Sequence, residues 1–119
     1  MCARNKSPAL SFEEAAALPM ASVTVLQGLR QAQVSQGTNV LINGDSGGVG
    51  AFAVQIAKAK GAEVTGVCST GSVDFVRSLR AEAGQLKAVI DSRYPFAETA
   101  ETLRRAETRH PKGKVIITI

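Results

Sequence analysis

The fold is decided by the strand candidate Asn39-Val40-Leu41-Ile42-Asn43 and the turn that follows it, Gly44-Asp45-Ser46-Gly47-Gly48-Val49-Gly50. Beyond the turn, apolar residues recur at helical spacing as far as Gly61. A second strand candidate then covers residues 63–68. Strand, glycine turn, helix and strand in this order predict a parallel βαβ unit of the kind that binds nucleotides.

The side chains of this unit carry further expectations. The continuous apolar run Val40–Ile42 predicts a parallel strand that is covered on both faces. In the helix, the spacing directs Phe52 and Ile56 to the sheet and leaves Gln55 for solvent. Gly61 supplies the helix stop.

Helices are predicted before this unit. Ser11 and Glu14 have the spacing of a capping box, which predicts a short helix. A second helix is expected from Met20 to Val34, after Pro19.

After the unit, Ser72 caps a predicted helix that runs to Arg80. A polar connection over residues 81–87 then leads to a strand at 88–90. Pro95 opens a helix with Phe96, Ala100 and Leu103 on one face, and a last strand covers 114–119.

The predicted fold class is therefore α/β. A partial Rossmann-like parallel sheet (βαβα) spans residues 37–80 and is followed by a β-α-β carboxyl-terminal segment, 81–119. Leading helices occupy residues 1–36. At 119 residues the chain has the length of one domain, 1–119.

Composition narrows the function classes. No apolar run has the length of a membrane span, so no membrane partner is expected. The net charge is +4, but the basic residues are dispersed and aromatic residues are few, so nucleic acid is not an expected partner. Cys2 and Cys68 lack a metal-type spacing, which predicts no zinc site and favours a reducing compartment, the cytoplasm.

The glycine turn fits a dinucleotide fingerprint imperfectly. Gly47 and Gly50 have the spacing of its second and third glycines, whereas Asp45 occupies the place of the first. The Asp45 carboxylate is expected to weaken phosphate binding unless it points away. Amides near Gly48 are expected to face a pyrophosphate. Alternatively, the glycines form only a tight βα connection.

The second strand ends in Cys68-Ser69-Thr70-Gly71, where an NAD site is expected to carry an acidic residue. Hydroxyls without a nearby carboxylate suit a 2′-phosphate better than a ribose diol, and Arg77 stands close enough in sequence to assist. This favours NADP(H) as the cofactor. In the alternative interpretation, Ser69 and Thr70 only turn the chain and cap a helix.

Four segments resemble the zinc-independent quinone oxidoreductase branch of the medium-chain dehydrogenase/reductase superfamily: Leu10–Pro19, Thr24–Arg30, Asn39–Gly50 and Val67–Thr70. Residues 84–96 and 113–119 are similar to the carboxyl terminus of that family. The resemblance implies NADPH as hydride donor and a quinone or an α,β-unsaturated carbonyl (enone) as substrate. It also implies cofactor contacts: Ser46, Gly47, Gly48 and Val49 at the pyrophosphate, Ser69 and Thr70 near the 2′-phosphate, and Thr24 facing the nicotinamide.

The sequence also departs from the family pattern. A GroES-like catalytic domain and several βα units have no counterpart in it, so the chain is interpreted as a truncated, internally deleted member. Asp45 replaces a small residue, and Gly71 stands where a basic 2′-phosphate contact is often found. Without the walls of the family's substrate pocket, the chain is expected to turn over slowly or not at all.

No catalytic residue is assigned, and His110 is expected to be an exposed turn residue. Two alternatives to an enzyme remain open. The first is a non-catalytic remnant that binds a nucleotide or a partner chain, and the second, weaker one is a basic interaction module. The apolar strands near residues 88–91 and 114–119 are expected either to extend the sheet or to pair between chains, and the second alternative would form a homo-oligomer.

Overall fold

A computed structural model describes residues 7–81, 86–108 and 111–119. The helices and strands, in chain order, are α1 (Phe12–Ala17), α2 (Pro19–Gln31), β1 (Asn39–Asn43), α3 (Gly50–Ala59), β2 (Glu63–Val67), α4 (Val73–Ala81), β3 (Ile90–Pro95), α5 (Thr99–Thr108) and β4 (Lys114–Thr118). Single 3₁₀ turns cover Thr70–Ser72 and Phe96–Glu98. His110, Gly84 and Cys2 lie outside the described residues. None of the helices described is long and apolar enough to cross a bilayer.

The capping box that starts α1 is confirmed. The Glu14 amide donates to Ser11 Oγ over 3.1 Å, and the Ser11 amide donates to Glu14 Oε2 over 2.8 Å. Together the two hydrogen bonds satisfy amides that the first turn of a helix leaves without partners.

The second helix ends earlier than predicted, at Gln31. Gln33 adopts the left-handed conformation with φ 53°, which stops the helix before Val34. The Val34 amide then donates to Leu29 O (2.9 Å) and the Gln33 amide to Arg30 O (3.0 Å). These two hydrogen bonds form a Schellman motif with glutamine where glycine is common.

The βαβ unit is confirmed. β1 and β2 are parallel neighbours, in register from Asn39 opposite Glu63 to Asn43 opposite Val67. α3 connects them and ends at Ala59; Gly61, with a φ of 78°, follows the C-cap residue, and the Ala62 amide donates to the Ala57 carbonyl over 3.1 Å. Both strands therefore direct their carboxyl ends to the same edge of the sheet, where ligands bind in open α/β folds.

Only one face of this two-stranded sheet is covered. Val40, Ile42 and Val64 lie on the core side. On the other side Leu41 is 70% exposed and Val67 is 47% exposed. The expectation that both faces are covered was wrong, because no element of the described chain buries Leu41 or Val67. We call the surface formed by these two side chains the outer face.

The core joins α2, α3, α4 and β2. Its buried apolar side chains are Ala21, Val25, Leu29, Val34, Ala51, Phe52, Val54, Ala57, Ala62, Val64, Val76 and Leu79. Gln55 was expected to face solvent, but it is buried. Its side chain meets the backbone of Lys87, which comes just before the carboxyl-terminal strands.

β3 and β4 form a second, separate parallel pair. The predicted strand at residues 88–90 lies too early, because β3 starts at Ile90 and continues to Pro95. Ala88 and Val89 instead pack against the core as connecting residues. The order β-α-β of this segment is confirmed.

The predicted apolar face of α5 was also wrong in orientation. Phe96 and Leu103 are 67% and 57% exposed, whereas Thr102 is buried. The Thr102 hydroxyl donates to Glu98 O over 2.8 Å, so its only hydrogen-bonding side-chain group is satisfied inside the helix.

Candidate functional site

The glycine turn is fixed to the end of β2 by the backbone. The amides of Gly44 and Asp45 both donate to Val67 O, over 2.9 and 3.4 Å. Gly44 has a φ of 76°, a conformation that side chains disfavour. The Ala51 amide donates to Gly47 O over 2.9 Å, and α3 begins at this point. The turn thus places the amino terminus of α3 beside the carboxyl ends of both strands.

Three glycines of the turn have different surroundings. A Cβ at Gly50 would lie 2.1 Å from Gly44 O, so this position tolerates no side chain. A Cβ at Gly48 would lie 2.8 Å from Gly113 O, because the carboxyl-terminal segment passes directly over it. A Cβ at Gly47 would meet only Gly44 O, at 3.5 Å, an ordinary contact. A side chain at position 47 would therefore fit the fold.

Gly47 lines an open cavity of about 450 Å³ that we call the crevice. Its walls are the ends of β1 and β2, the glycine turn and the carboxyl-terminal segment, represented by Asn43, Gly44, Ser46, Gly47, Gly48, Val67, Cys68, Ser69 and Pro111. No Asp, Glu, Lys, Arg or His is among these residues. Within the described chain, the amides of Gly48 and Val49 donate to no backbone carbonyl. The crevice therefore offers an anion backbone amides at the positive end of a helix dipole.

Asp45 points away from the crevice. Its side chain is fully buried and lines a different cavity of about 150 Å³, together with Gly66, Cys68, Val73, Val76 and Arg77. Neither carboxylate oxygen has a hydrogen-bond partner within the described residues. The Asp45 carboxylate was expected to weaken phosphate binding unless it pointed away from the phosphate. It does point away, because it does not line the crevice. The carboxylate is instead buried at a cost in stability.

The structure brings four of the seven predicted cofactor contacts into the crevice: Ser46, Gly47, Gly48 and Ser69. Val49 lies at the N-cap of α3 and Thr70 starts the 3₁₀ turn after β2, but neither lines the crevice. Thr24 is exposed on α2, its hydroxyl donates to Met20 O over 2.8 Å, and it does not line the crevice. The role of Thr24 at a nicotinamide stays a prediction.

Five lining residues were not among the predicted cofactor contacts: Asn43, Gly44, Val67, Cys68 and Pro111. Asn43 and Cys68 follow the apolar parts of the two strands, and the rule that ligands bind at strand carboxyl ends would have pointed to both. Pro111 lies far along the chain, and no local signal connects it to the glycine turn.

Two cations were found near the end of β2. Lys112 Nζ donates to Gly71 O over 2.8 Å, at the turn after the strand. Arg77 Nη1 lies 3.6 Å from Asp74 Oδ1 and lines the cavity of the buried Asp45. Arg77 thus pairs with Asp74 and lines the same cavity as Asp45, whereas Lys112 forms no salt bridge within the described residues.

A second cavity of about 310 Å³ lies between α5 and the β3–β4 pair. Here Arg105 Nη1 donates to the Tyr94 hydroxyl over 3.2 Å, and the guanidinium carbon lies 5.8 Å from the ring centroid. Accepting this hydrogen bond, Tyr94 raises the pKa of Arg105 above its usual value. The described residues contain no group of three or more His, Cys, Asp or Glu side chains that could hold a metal ion.

The residues that build the crevice lie within a match to a known family. The sequence model described as "Zinc-binding dehydrogenase" matches residues 21–117, most of the chain. The chain belongs to this family. The resemblance to the medium-chain dehydrogenase/reductase superfamily is therefore confirmed.

Curated relatives of the family include quinone oxidoreductases. A chloroplast envelope quinone oxidoreductase homolog of Arabidopsis thaliana is 44% identical over 75 residues, 58% of this chain and 23% of that protein. A mitochondrial NAD(P)H oxidoreductase of Bos taurus is 36% identical over 103 residues, 77% of this chain and 26% of that protein. The chain thus spans about a quarter of the length of these relatives.

Solved structures of the family share the fold. The quinone oxidoreductase of Thermus thermophilus has a TM-score of 0.72 over 95% of this chain and 68% of that one, at 20% identity. The Escherichia coli quinone oxidoreductase complexed with NADPH has a TM-score of 0.56 over 61% of this chain and 23% of that one, at 33% identity. The predicted α/β Rossmann-like class is confirmed.

Proposed function

We propose that the crevice binds NADP(H) and that the protein acts, without zinc, as an oxidoreductase that passes hydride from the nicotinamide to a quinone or an enone. The observation that carries the proposal is the glycine turn before α3, of which Gly44, Ser46, Gly47 and Gly48 line a crevice at the carboxyl ends of two parallel strands.

The residues of the crevice fit a dinucleotide. Gly47 leaves room for a phosphate to approach the backbone, and Asp45 keeps its carboxylate on the far side of the turn. The amide of Gly48 would hold the pyrophosphate, and Ser69 would contact the adenosine ribose. When bound, the cofactor supplies the hydride, while the chain binds and orients it.

The choice of NADPH over NADH is supported by composition at the end of β2, where residues 68–72 contain no carboxylate to receive a ribose diol. The 33% identical Escherichia coli enzyme is described as complexed with NADPH. The zinc-free part of the proposal rests on the resemblance of residues 10–19, 24–30, 39–50 and 67–70 to the zinc-independent branch of the superfamily.

The substrate class is supported by the names of relatives. Besides the Arabidopsis protein, a 2-methylene-furan-3-one reductase of Solanum lycopersicum is 43% identical over 61% of this chain and 19% of that protein. A furanone with an exocyclic methylene is an enone. None of the residues that line the crevice is an Asp, Glu, Lys, Arg or His. Binding and orientation are therefore the contributions we expect from the protein.

Calorimetric titration of the 119-residue chain with NADPH and with NADH tests the binding step. Saturable NADPH binding at one site, tighter than NADH binding, is the expected result, and NADH preference would contradict the cofactor assignment. Anaerobic NADPH oxidation with 9,10-phenanthrenequinone then tests the chemistry. Cofactor binding without any quinone-dependent oxidation would support the nucleotide site and contradict the proposed oxidoreductase activity.

The outer face favours a second candidate, a non-catalytic role in which the chain binds a partner. Leu41 and Val67 expose apolar surface on a sheet whose opposite face is buried. Light scattering after size exclusion, on wild type and Leu41→Lys, tests self-association. A dimer that the substitution dissociates would support this candidate. The cytoplasmic location and the homo-oligomer stay predictions.

A further inference from the structure

We propose that Lys112 supplies the positive charge that selects a 2′-phosphorylated adenosine ribose, in place of a basic residue on the turn after β2. The inference rests on the proposed binding of a nicotinamide dinucleotide in the crevice. It adds a specificity residue from the carboxyl-terminal segment, outside the βαβ unit.

The first observation is position. Pro111 lines the crevice together with Ser69, and the next residue, Lys112, carries its side chain to the turn that follows Ser69. There the Nζ atom donates to Gly71 O over 2.8 Å. An ammonium group therefore lies at the carboxyl end of β2, where the adenosine ribose lies in a dinucleotide fold.

The second observation is spare hydrogen-bonding capacity. An ammonium group has three donors, and one contact of Lys112 Nζ, to Gly71 O, is found among the described residues. The side chain is exposed and forms no salt bridge within the described chain. The remaining donors are available to a phosphate, which a lysine binds as a point charge.

The third observation concerns Arg77, the other cation near the end of β2 that could bind the 2′-phosphate. Arg77 was the basic residue expected to assist, but its guanidinium pairs with Asp74 and borders the cavity that holds the Asp45 carboxylate. The Arg77 guanidinium is paired with the Asp74 carboxylate, whereas the Lys112 ammonium contacts a neutral carbonyl and only the backbone amide of Lys112 donates to a carboxylate, Asp91 Oδ1, over 3.1 Å. A paired guanidinium offers less charge to a phosphate than an ammonium group without a salt bridge. Of the two, Lys112 is therefore the better phosphate ligand.

The experiment compares ligands with and without the 2′-phosphate. Wild type, Lys112→Met, Lys112→Arg and the control Lys60→Met are titrated with NADPH, NADH, adenosine 2′,5′-bisphosphate and 5′-AMP. Lys60 is exposed at the end of α3, so its replacement removes the same charge away from the crevice.

Lys112→Met is expected to weaken NADPH and the bisphosphate by roughly 10- to 100-fold, the range of a charge-assisted hydrogen bond, with NADH and 5′-AMP changed less than about 2-fold. Lys112→Arg should retain most of the preference. Raising the NaCl concentration should weaken NADPH binding more in wild type than in Lys112→Met. Lys60→Met should behave as wild type.

Equal weakening of all four ligands by Lys112→Met would mean that Lys112 only holds the wall of the crevice, and would overturn the inference. So would unchanged NADPH binding. If wild type binds both dinucleotides equally, the crevice remains a nucleotide site and the selectivity assigned to Lys112 is wrong. If wild type binds none of the four ligands, the proposed function fails and this inference fails with it.

Discussion

The Gln55 side chain pairs with the backbone of Lys87 on both sides of its amide group. Oε1 accepts from the Lys87 amide over 2.7 Å, and Nε2 donates to Lys87 O over 3.2 Å and to Ala51 O over 3.1 Å. One side chain on α3 thereby satisfies both polar groups of a connecting residue, as a neighbouring strand would. This pairing fixes the carboxyl-terminal segment to the βαβ unit.

Gln55→Leu should therefore lower the free energy of unfolding by about 1 to 3 kcal/mol, because it removes both hydrogen bonds that Gln55 makes with the backbone of Lys87. Urea unfolding followed by circular dichroism measures the change. Gln27→Leu on the exposed side of α2 is the matched control and should shift stability by less than about 0.5 kcal/mol. Equal effects of the two substitutions would show that the pairing with Lys87 has no energetic weight.

Replacing Asp45 by alanine should stabilise the protein. Its two carboxylate oxygens are buried and have no partner within the described chain, and an unsatisfied buried polar group costs about 1 to 3 kcal/mol. Thermal unfolding of Asp45→Ala is compared with that of Asp74→Ala, since Asp74 is almost fully exposed. The affinity for NADPH should not change with Asp45→Ala, because Asp45 lines a different cavity. A loss of stability would mean that Asp45 has a partner that offsets its burial.

Gln33→Gly should raise the free energy of unfolding by about 0.5 to 1 kcal/mol, because glycine adopts the left-handed conformation of Gln33 without steric cost. The equivalent position after α3 is Gly61, where Gly61→Ala should have the opposite sign. An added Cβ there would also lie 3.1 Å from Gln36 Cγ. Chemical denaturation of both variants provides a reciprocal pair, and a destabilised Gln33→Gly would refute the assignment of this helix end.

Gly47→Val should weaken cofactor binding without unfolding the chain. The valine side chain enters the crevice, while its Cβ meets only Gly44 O at 3.5 Å and its φ lies outside the left-handed region. NADPH affinity should fall by at least roughly 10-fold, or about 1.4 kcal/mol. Gly28→Val on α2, where no atom lies within 4 Å of an added Cβ, controls for the substitution itself. NADPH binding that survives Gly47→Val would place the cofactor elsewhere.

Features set by neighbouring residues could be predicted from the sequence. The capping box needs only Ser11 and Glu14, and the βα turn needs only the glycines that follow β1. Conformational preferences over a few residues determine such features, so the sequence contains all the information they require.

Features that depend on contacts between distant parts of the chain could not be predicted from the sequence. Gln55 has the spacing of a solvent-facing residue, and its burial depends on where Lys87 lies in space. Leu41 lies in an apolar run that is typical of a strand covered on both faces. Its exposure, however, depends on which elements pack against the sheet. Pro111 and Lys112 reach the crevice through tertiary packing, which the spacing of apolar residues along the sequence does not predict.

The contact between Gly48 and Gly113 has a consequence for synthesis of the protein. The carbonyl of Gly113 fills the space beside Gly48, so the glycine turn and one wall of the crevice come from regions that the ribosome makes at different times. A nascent chain with a folded βαβ unit still lacks Pro111 and Lys112. A ligand of the crevice would therefore be captured fully only after residues 111–113 have been translated and have packed on the glycine turn, and it would stabilise chains that contain them over shorter precursors.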